Sequence, residues 1–311
     1  MEHEQTKVLY IVGLGRSGST ILSNSLGQIE GFSSVGEVCY MWKHNFIENR
    51  LCGCGRPFYD CPVWTKVVEK AFGGPDGVDA RRMIGLQHSA ARTRHIPLML
   101  TKNGSETLAR RLNGWLENTG WLYDALQSVT GSRVIVDSSK EPAYGYALGM
   151  VPNIDLRVLH LVRDPRAAAY SWLKKKPQPD SEDLEFMHRF SPTKSAALWD
   201  SWNAAAEALW RGDHYMRLRY EDFVANPRES FTRILDLLDE EDADLPLTGD
   251  QEVKLGVSHT VSGNPNRFET GSVALRHDKE WTEKMNPKDR NLVTGLTLPL
   301  LYRYGYPVTK S

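Results

Sequence analysis

The chain has 311 residues, of which 41% are hydrophobic and 25% are charged. A chain of this length buries roughly three quarters of the surface that its unfolded form exposes, so it can form a full core without metals or disulfides. Its 38 lysines and arginines against 39 aspartates and glutamates leave a net charge of −1. This balance excludes a nucleic-acid binder that relies on a global positive field, and it excludes a disordered acidic chain. An anion site has to be built locally.

The predicted elements alternate between strands and helices along the chain. Residues 7–12 form a compact β-branched and aromatic run that ends at a glycine, which is typical of a buried strand. Further strands are predicted at 133–136, 156–162 and 215–218, and helices at 20–28, from 142, and at 165–175, 193–211 and 229–238. This alternation predicts an α/β fold with a parallel sheet flanked by helices.

Two stretches lie outside this alternation. Residues 40–130 show no clear strand and predict a helical insertion over the ends of the strands, and residues 239–251 predict an acidic, solvated loop. We therefore expect a single domain over residues 1–311, with 40–130 as a helical insertion. The short apolar run at residues 8–14 follows an acidic start, unlike a signal peptide, and no stretch approaches the ~20 apolar residues of a membrane span. The expectation is a cytoplasmic protein that spans no membrane and binds no nucleic acid.

The segment GLGRSGST, residues 13–20, lies between a predicted strand and a predicted helix. Such a turn points backbone N–H groups and a helix dipole at an anion. It contains the dinucleotide fingerprint G-x-G-x-x-G. It also contains G-x-x-x-x-G-x-T, a phosphate loop in which Ser19 replaces the usual lysine.

A Rossmann-type NAD-dependent oxidoreductase is one hypothesis for this turn. It requires an acidic residue ~20 positions on, at the end of a second strand. Glu37 has a suitable spacing, but GFSSV before it, residues 31–35, is a poor strand. A nucleoside triphosphatase is disfavoured because the loop lacks its lysine and has only Arg16 as a cation. A sulfuryl group carries less charge than a phosphoryl group, so this loop could hold it without a metal.

Two motifs together resemble the sulfotransferase family that uses 3′-phosphoadenosine 5′-phosphosulfate (PAPS). GRSGST, residues 15–20, resembles the family's 5′-phosphosulfate loop, and LVRDPRAAAYSW, residues 161–172, resembles its 3′-phosphate motif. The resemblance implies a core like that of the phosphate-loop NTPases, PAPS as the sulfuryl donor, its bisphosphate (PAP) as the product, and no metal. A guanidinium at a strand end suits a phosphate because its fork forms bidentate hydrogen bonds. The nucleotide ligands implied by these motifs are Arg16, Ser17, Gly18, Ser19, Thr20, Arg163 and Ser171.

Two later segments also resemble family elements. LRYEDF, residues 218–223, resembles the segment near the adenine, which implies a role for Tyr220. The polar stretch at 262–281 resembles the late loop that closes over the nucleotide. Its candidate ligands are Asn264, Asn266, Arg267 and Arg276, and which arginine reaches the nucleotide stays open.

The resemblance also implies catalytic residues. SSVGEV, residues 33–38, resembles the segment that carries the glutamate base in tyrosylprotein and carbohydrate sulfotransferases, so Glu37 is the candidate base. Lys140, in VIVDSSKEP, resembles a family lysine that, with Arg16, stabilises the transferring sulfonate. The candidate bases held in reserve are His88, His95 and His259. The function implied is in-line sulfuryl transfer to a hydroxyl or amine of a small molecule, glycan or lipid; a catalytically inactive nucleotide-binding protein is the alternative.

Three cysteines lie close together in the sequence, at Cys52, Cys54 and Cys61. Structural zinc sites usually have four ligands and C-x2–4-C spacing, which C-x-C matches poorly. His44 or Cys39 could complete a ligand set, but nothing in the sequence establishes this. We predict a tight loop of small residues without a metal, and a regulatory disulfide stays open.

Overall fold

The computed structural model describes residues 5–181 and 185–308. Its centre is a five-stranded sheet in the order β2-β3-β1-β4-β5, in which all neighbours pair in parallel. The strands are β1 (Thr6–Val12), β2 (Phe32–Gly36), β3 (Val134–Lys140), β4 (Ile154–Val162) and β5 (Tyr215–Arg219). A small antiparallel sheet consists of β6 (Leu247–Gly249), β7 (Glu252–Leu255) and β8 (Gly271–Ala274).

Helices cover both faces of the central sheet. The α-helices are α1 (Ser19–Leu26), α2 (Trp64–Phe72), α3 (Ala80–Ala90), α4 (Ile96–Met99), α5 (Gly104–Thr130), α6 (Pro142–Leu148), α7 (Pro165–Leu173), α8 (Pro192–Leu209), α9 (Tyr220–Ala225), α10 (Pro227–Leu238), α11 (Glu280–Lys284) and α12 (Pro287–Arg303). Short 3-10 segments lie at Val38–Tyr40, Phe58–Asp60, Pro75–Gly77, Thr93–His95 and Pro265–Phe268, and a π-helical segment lies at Trp42–Ile47. In the described residues, no helix has the length and apolar character needed to cross a membrane.

The alternation of side chains along β1 explains why the sheet is buried on both faces. Val8 and Tyr10 pack into the core shared with the insertion, whereas Leu9 and Ile11 pack into the core shared with α1 and α10. Successive side chains of a strand point to opposite faces, so an uninterrupted apolar run fills both cores. The predicted α/β fold with a parallel sheet and a helical insertion is therefore confirmed.

One buried polar group in β4 is satisfied entirely by side chains. The His160 ring lies between the Tyr215 hydroxyl, 2.8 Å from Nδ1, and the Asn203 side-chain oxygen, 2.7 Å from Nε2. Burial lowers the pKa of His160 to about 4, with the Asn203 hydrogen bond acting in the opposite direction. The ring is therefore neutral at pH 7, with Nε2 donating to Asn203 and Nδ1 accepting from Tyr215.

Two expectations from the sequence are wrong. The stretch dismissed as a poor strand forms β2, an edge strand of the central sheet that ends one residue before Glu37. Its serine hydroxyls are paired, Ser34 with Ser23 and Ser33 with Ser132, at 2.6 Å in each case. The acidic stretch at 239–251 is not wholly a loop, because Leu247–Gly249 within it form β6.

Candidate active site

The five parallel strands bring the predicted site residues to one edge of the sheet. β1 leads into the glycine-rich loop at 13–18, and β2 is followed by Glu37. β3 ends on Lys140, β4 is followed by Arg163, and β5 is followed by Tyr220. In open α/β sheets, ligands bind outside the carboxyl ends of the strands. This edge is therefore the candidate active site.

Two glycines of the loop occupy backbone positions that exclude a side chain. Gly13 has φ +143°, and a Cβ there would lie 2.3 Å from the Leu161 carbonyl oxygen. Gly18 has φ +89°, and its Cβ would lie 2.3 Å from the ring of Tyr220. Only glycine allows these conformations together with such close approach. The loop is thus held against β4 and against the residue that follows β5.

Arg16 lies inside the loop and is only 9% exposed. Its guanidinium is 4.7 Å from the centre of the Trp172 ring, and the Trp172 indole N–H donates to the Gly15 carbonyl at 3.2 Å. Nη2 contacts the Met187 sulfur at 3.2 Å, whereas Nε and Nη1 are buried and have no hydrogen-bond partner among the residues that the structure describes. Burial lowers the pKa of Arg16, and the carboxylate of Glu37 acts in the opposite direction. A buried cation with free donors is arranged to receive an anion.

Arg163 connects β4 to the loop. Its Nη1 donates to the Arg16 carbonyl at 2.9 Å, and its Nη2 donates to Asp278 at 3.0 Å. The guanidinium also lies 4.8 Å from the centre of the Tyr220 ring, and its buried Nε has no partner within residues 5–181 and 185–308. The carbonyl of Arg163 accepts from the Trp199 indole N–H at 2.9 Å. Arg163 therefore supports the loop and still has a free donor for a ligand.

Glu37 and Lys140 form an ion pair at the ends of β2 and β3. Glu37 Oε1 lies 2.6 Å from Lys140 Nζ, which also donates to the Ser138 carbonyl at 2.7 Å. The two side chains are 14% and 9% exposed, so the pair is largely but not fully removed from water. Lys140 has φ +71°, an uncommon value for a residue with a Cβ and one found often at functional sites. A Cβ on Gly263 would lie 3.1 Å from Glu37 Oε1.

A buried hydrogen-bond network fixes the end of β3. The Asp137 carboxyl accepts from the Tyr123 hydroxyl at 2.6 Å and from both the N–H and the hydroxyl of Ser139. Ser139 Oγ in turn accepts from the Cys39 N–H at 3.0 Å. Burial raises the pKa of Asp137 to about 6, while the bonds from Ser139 and Tyr123 act to lower it. The network ties β3 to the segment that follows Glu37.

The remaining predicted ligands lie around this edge in different environments. Ser17 and Ser19 are buried, and Ser17 Oγ has no hydrogen-bond partner in the described part of the chain. Thr20 is half-buried in the first turn of α1, and Ser171 is buried on α7, next to Trp172. The Tyr220 hydroxyl donates to the Arg276 carbonyl at 3.3 Å, and burial raises the pKa of Tyr220.

The late segment is more structured than a mobile loop. Asn264 precedes the 3-10 turn Pro265–Phe268, and its side chain accepts from the Asn266 N–H. Arg267 is 2% exposed; it donates to the carbonyls of Thr260 and Leu51 and to Asp180 at 2.9 Å. Its buried Nε has no hydrogen-bond partner in the part of the chain that the structure describes.

The reserve histidines lie on other elements. His88 is in the last turn of α3, and His95 accepts from the Arg92 N–H at 3.2 Å. His259 has Nδ1 3.2 Å from Cys61 Sγ, among the cysteines that the sequence places 198 residues earlier. His44 Nδ1 lies 3.0 Å from the hydroxyl of Ser262.

Sequence reasoning missed three residues that shape this edge. The Trp172 ring packs against the Arg16 guanidinium, and Asp278 accepts a hydrogen bond from Nη2 of Arg163. Asp137 anchors the end of β3. Trp172 and Asp137 lie in segments that the sequence singled out, so proximity to a motif was an available signal. Asp278 also lies in a singled-out stretch, at 262–281, but nothing local indicated its partner, because its contact with Arg163 spans 115 residues.

Fold and site together define an α/β protein with a candidate anion site at the carboxyl edge of its sheet. A family model described as "Sulfotransferase family" matches residues 9–244, so the chain belongs to the sulfotransferase family and is a transferase by class. No curated protein sequence matches it significantly.

Solved structures show the same fold at low sequence identity. The sulfotransferase domain from the Synechococcus PCC 7002 olefin synthase is 20% identical, with a TM-score of 0.50 over 99% of this chain and 98% of that chain. The sulfotransferase domain from the curacin biosynthetic pathway is 14% identical, with a TM-score of 0.53 over 97% and 99%. At these identities the likeness establishes the fold alone.

Proposed function

We propose that this protein is a PAPS-dependent sulfotransferase that transfers a sulfuryl group in line to a hydroxyl or amine acceptor. One observation carries the proposal. The ends of all five parallel strands bring a glycine-rich loop, two arginines, and a Glu37–Lys140 ion pair to one edge of the sheet. A Rossmann-type dehydrogenase would not need this ion pair, and the family match does not favour that alternative.

The free polar atoms at this edge fit the anionic groups of PAPS. Arg16 Nε and Nη1, Ser17 Oγ and Arg163 Nε are buried without a hydrogen-bond partner in the described residues. Buried donors are nearly always satisfied, so an unpartnered set that converges on one loop favours an anionic ligand. All four atoms belong to the two motifs that resemble the nucleotide-binding motifs of the family.

We assign the contacts to PAPS, the proposed sulfuryl donor, by motif. Arg16, with Ser17, Gly18, Ser19 and Thr20, would hold the 5′-phosphosulfate through side chains and backbone N–H groups at the start of α1. Arg163 and Ser171 would hold the 3′-phosphate. Further nucleotide contacts would come from Tyr220, Asn264 and the free Nε of Arg267.

Glu37 is proposed to be the general base. PAPS supplies the sulfuryl group, and the bond between sulfur and its phosphate oxygen breaks as the acceptor oxygen or nitrogen bonds to sulfur. Glu37 receives the proton that the acceptor loses, a role that typically contributes 10²–10⁴-fold to the rate. Its exposed fraction of 14% leaves the carboxylate accessible to an acceptor.

Lys140 and Arg16 are proposed to stabilise the charge that moves during transfer. The Lys140 ammonium is held by Glu37 and by the Ser138 carbonyl, so it is already in place before the reaction. An ammonium is a compact point charge. It can therefore exchange one of its partners for a developing negative charge with little movement of the side chain. Arg16 is buried, and its own Nε and Nη1 have no hydrogen-bond partner among the described residues.

The acceptor side is proposed to be the helical insertion. Residues 38–130 follow Glu37 directly and carry α2 to α5, which favours an acceptor site between these helices and the proposed base. We propose that the whole chain is one sulfotransferase domain, with 40–130 shaping the acceptor site. The acceptor is proposed to be a small molecule, glycan or lipid, and the location to be cytoplasmic.

The test is transfer of ³⁵S from labelled PAPS to pooled hydroxyl and amine acceptors of these classes. Glu37→Gln is expected to lower kcat by about 10²–10⁴-fold while PAP binding persists. Glu240→Gln is the matched control, because Glu240 is 13% exposed and pairs with Lys7 and Arg133. Its kcat should be unchanged.

Three results would contradict the proposal, in whole or in part. Failure of the wild-type chain to bind PAP would exclude PAPS as the sulfuryl donor and would contradict the whole proposal. Transfer at the wild-type rate in Glu37→Gln would remove only the assigned base. Binding of PAP without transfer to any acceptor in the pool would favour an inactive nucleotide-binding protein.

A further inference from the structure

Three cysteines and a histidine come together outside the candidate active site. The ligand atoms of Cys52, Cys54, Cys61 and His259 all lie within 4.8 Å of one another. His259 Nδ1 is 3.2 Å from Cys61 Sγ and 3.9 Å from Cys52 Sγ. All four cysteines of the chain are free. The fourth member of the cluster is thus neither His44 nor Cys39, the two candidates from the sequence.

We propose that this cluster binds one structural zinc ion through three thiolates and one imidazole. Tetrahedral zinc with Zn–S bonds of about 2.3 Å and Zn–N bonds of about 2.0 Å separates its ligand atoms by roughly 3.5–3.8 Å. The separations of 3.2 and 3.9 Å bracket that range. Soft thiolates with an imidazole in a tetrahedral set favour zinc over hard cations. Four protein ligands leave no open position, so the ion would be structural.

The local backbone explains why a C-x-C pair can serve as a ligand pair here. Gly55 has φ +81° and donates its N–H to the Cys52 carbonyl at 2.8 Å. The Cys52 N–H in turn donates to the Arg56 carbonyl at 2.8 Å. These bonds close a tight turn that keeps Cys54 near Cys52. The C-x2–4-C spacing that is usual for structural zinc sites describes longer loops, so it does not exclude a ligand pair in this turn.

The histidine is held in place from the other side of the cluster. The Trp64 indole N–H donates to the His259 carbonyl at 2.7 Å, and the Gly53 N–H donates to the Thr260 carbonyl at 2.9 Å. A Cβ on Gly53 would lie 2.5 Å from Thr260 Oγ1 and 2.8 Å from the Ser258 carbonyl oxygen, so the two segments approach too closely for a side chain at residue 53. Glycine and the indole bond therefore fix the approach of His259 to the cysteines.

The ion would join the helical insertion to the edge of the sheet beside Glu37. Val261, two residues after His259, donates its N–H to Val35 and accepts from the Glu37 N–H, both at 2.8 Å. The segment thus continues the sheet beyond β2, and Cys52 and Cys61 on the insertion are fully buried. A zinc ion here would hold the insertion and the backbone of Glu37 in one rigid unit.

The first measurement is the metal content of the full chain, purified without chelators, by plasma mass spectrometry. One zinc per chain is expected in the wild type, and Cys54→Ser and His259→Asn are each expected to lose it. Cys39→Ser is the matched control, because it removes the one cysteine outside the cluster. This variant should retain one zinc per chain.

Cobalt(II) binding to the wild-type chain is the second measurement. It uses no variant, so a variant that fails to fold cannot affect its result. Wild-type protein stripped of metal is expected to bind one cobalt ion per chain, with the intense absorption bands of thiolate ligands in a tetrahedral site. Absence of both zinc and these cobalt bands in folded wild-type protein would overturn the proposal. Equal loss of metal in Cys39→Ser, or a disulfide within the cluster in protein isolated without oxygen, would also overturn it.

Discussion

Replacing Arg163 by alanine tests the proposed 3′-phosphate contact. The free Nε and the Nη2 that now bonds Asp278 are the two donors available to a phosphate. Hydrogen bonds to charged groups contribute about 1.5–3 kcal/mol each, and one of the two must first be taken from Asp278. We therefore expect Arg163→Ala to weaken PAP binding by about 3 kcal/mol, or roughly 100-fold in Kd.

Isothermal titration of PAP measures this loss directly. Arg157→Ala is the matched control, because Arg157 lies on β4, is 14% exposed against 9% for Arg163, and pairs with Asp155. Its Kd should stay within about twofold of the wild type, since distant sites rarely couple. An Arg163→Ala variant that binds PAP as tightly as the wild type would refute the assignment of this residue to the phosphate.

Three further changes follow from the same geometry. Gly18→Ala should weaken PAP binding in titration by tenfold or more, because φ +89° costs a residue with a Cβ about 1–2 kcal/mol and the Cβ would collide with Tyr220. Asp278→Asn should tighten PAP binding about threefold in the same titration, because it frees Arg163 from a competing carboxylate. Burial lowers the pKa of His160 to about 4, so the unfolded chain alone binds this proton between pH 4 and 6.5. Urea unfolding of the wild type should therefore lose about 3 kcal/mol on going from pH 7 to 4, relative to His160→Gln; equal pH slopes would contradict this.

The parts of the fold with a strong local pattern could be predicted from the sequence. β1 ends in the apolar run at residues 8–12, and β4 is mostly apolar between residues 158 and 162. Each strand is followed by residues that place the loop and Arg163 at the sheet edge. A parallel sheet has one carboxyl edge, so the ends of its strands meet there without further information. That is why several distant motifs could be assigned to one site.

β2 could not be predicted because packing, and not strand propensity, determines its amino-acid composition. A Cβ on Gly27 would lie 2.8 Å from the Ser34 Cβ, so helix and strand approach too closely for large side chains. Serine fits this gap, and its hydroxyl bonds Ser23. Apolar periodicity, the signal used to find strands, is absent where such small residues are required.

Contacts between segments that lie far apart in the chain could not be predicted from the sequence either. His259 joins cysteines about 200 residues earlier, and Arg267 pairs with Asp180 across 87 residues. Local spacing carries no information about either contact, because both depend on where the late segment runs along the sheet edge.

The most direct test of the proposed function is the thermal unfolding of the wild-type chain with PAP, beside NADH and Mg-ATP at matched concentration. A ligand at about 100 times its Kd adds about 2.7 kcal/mol to the free energy of unfolding, or roughly 4 °C in Tm for a chain of this size. We expect this increase with PAP alone. An increase only with NADH or with Mg-ATP would contradict the assignment of the loop and of Arg163 to PAPS.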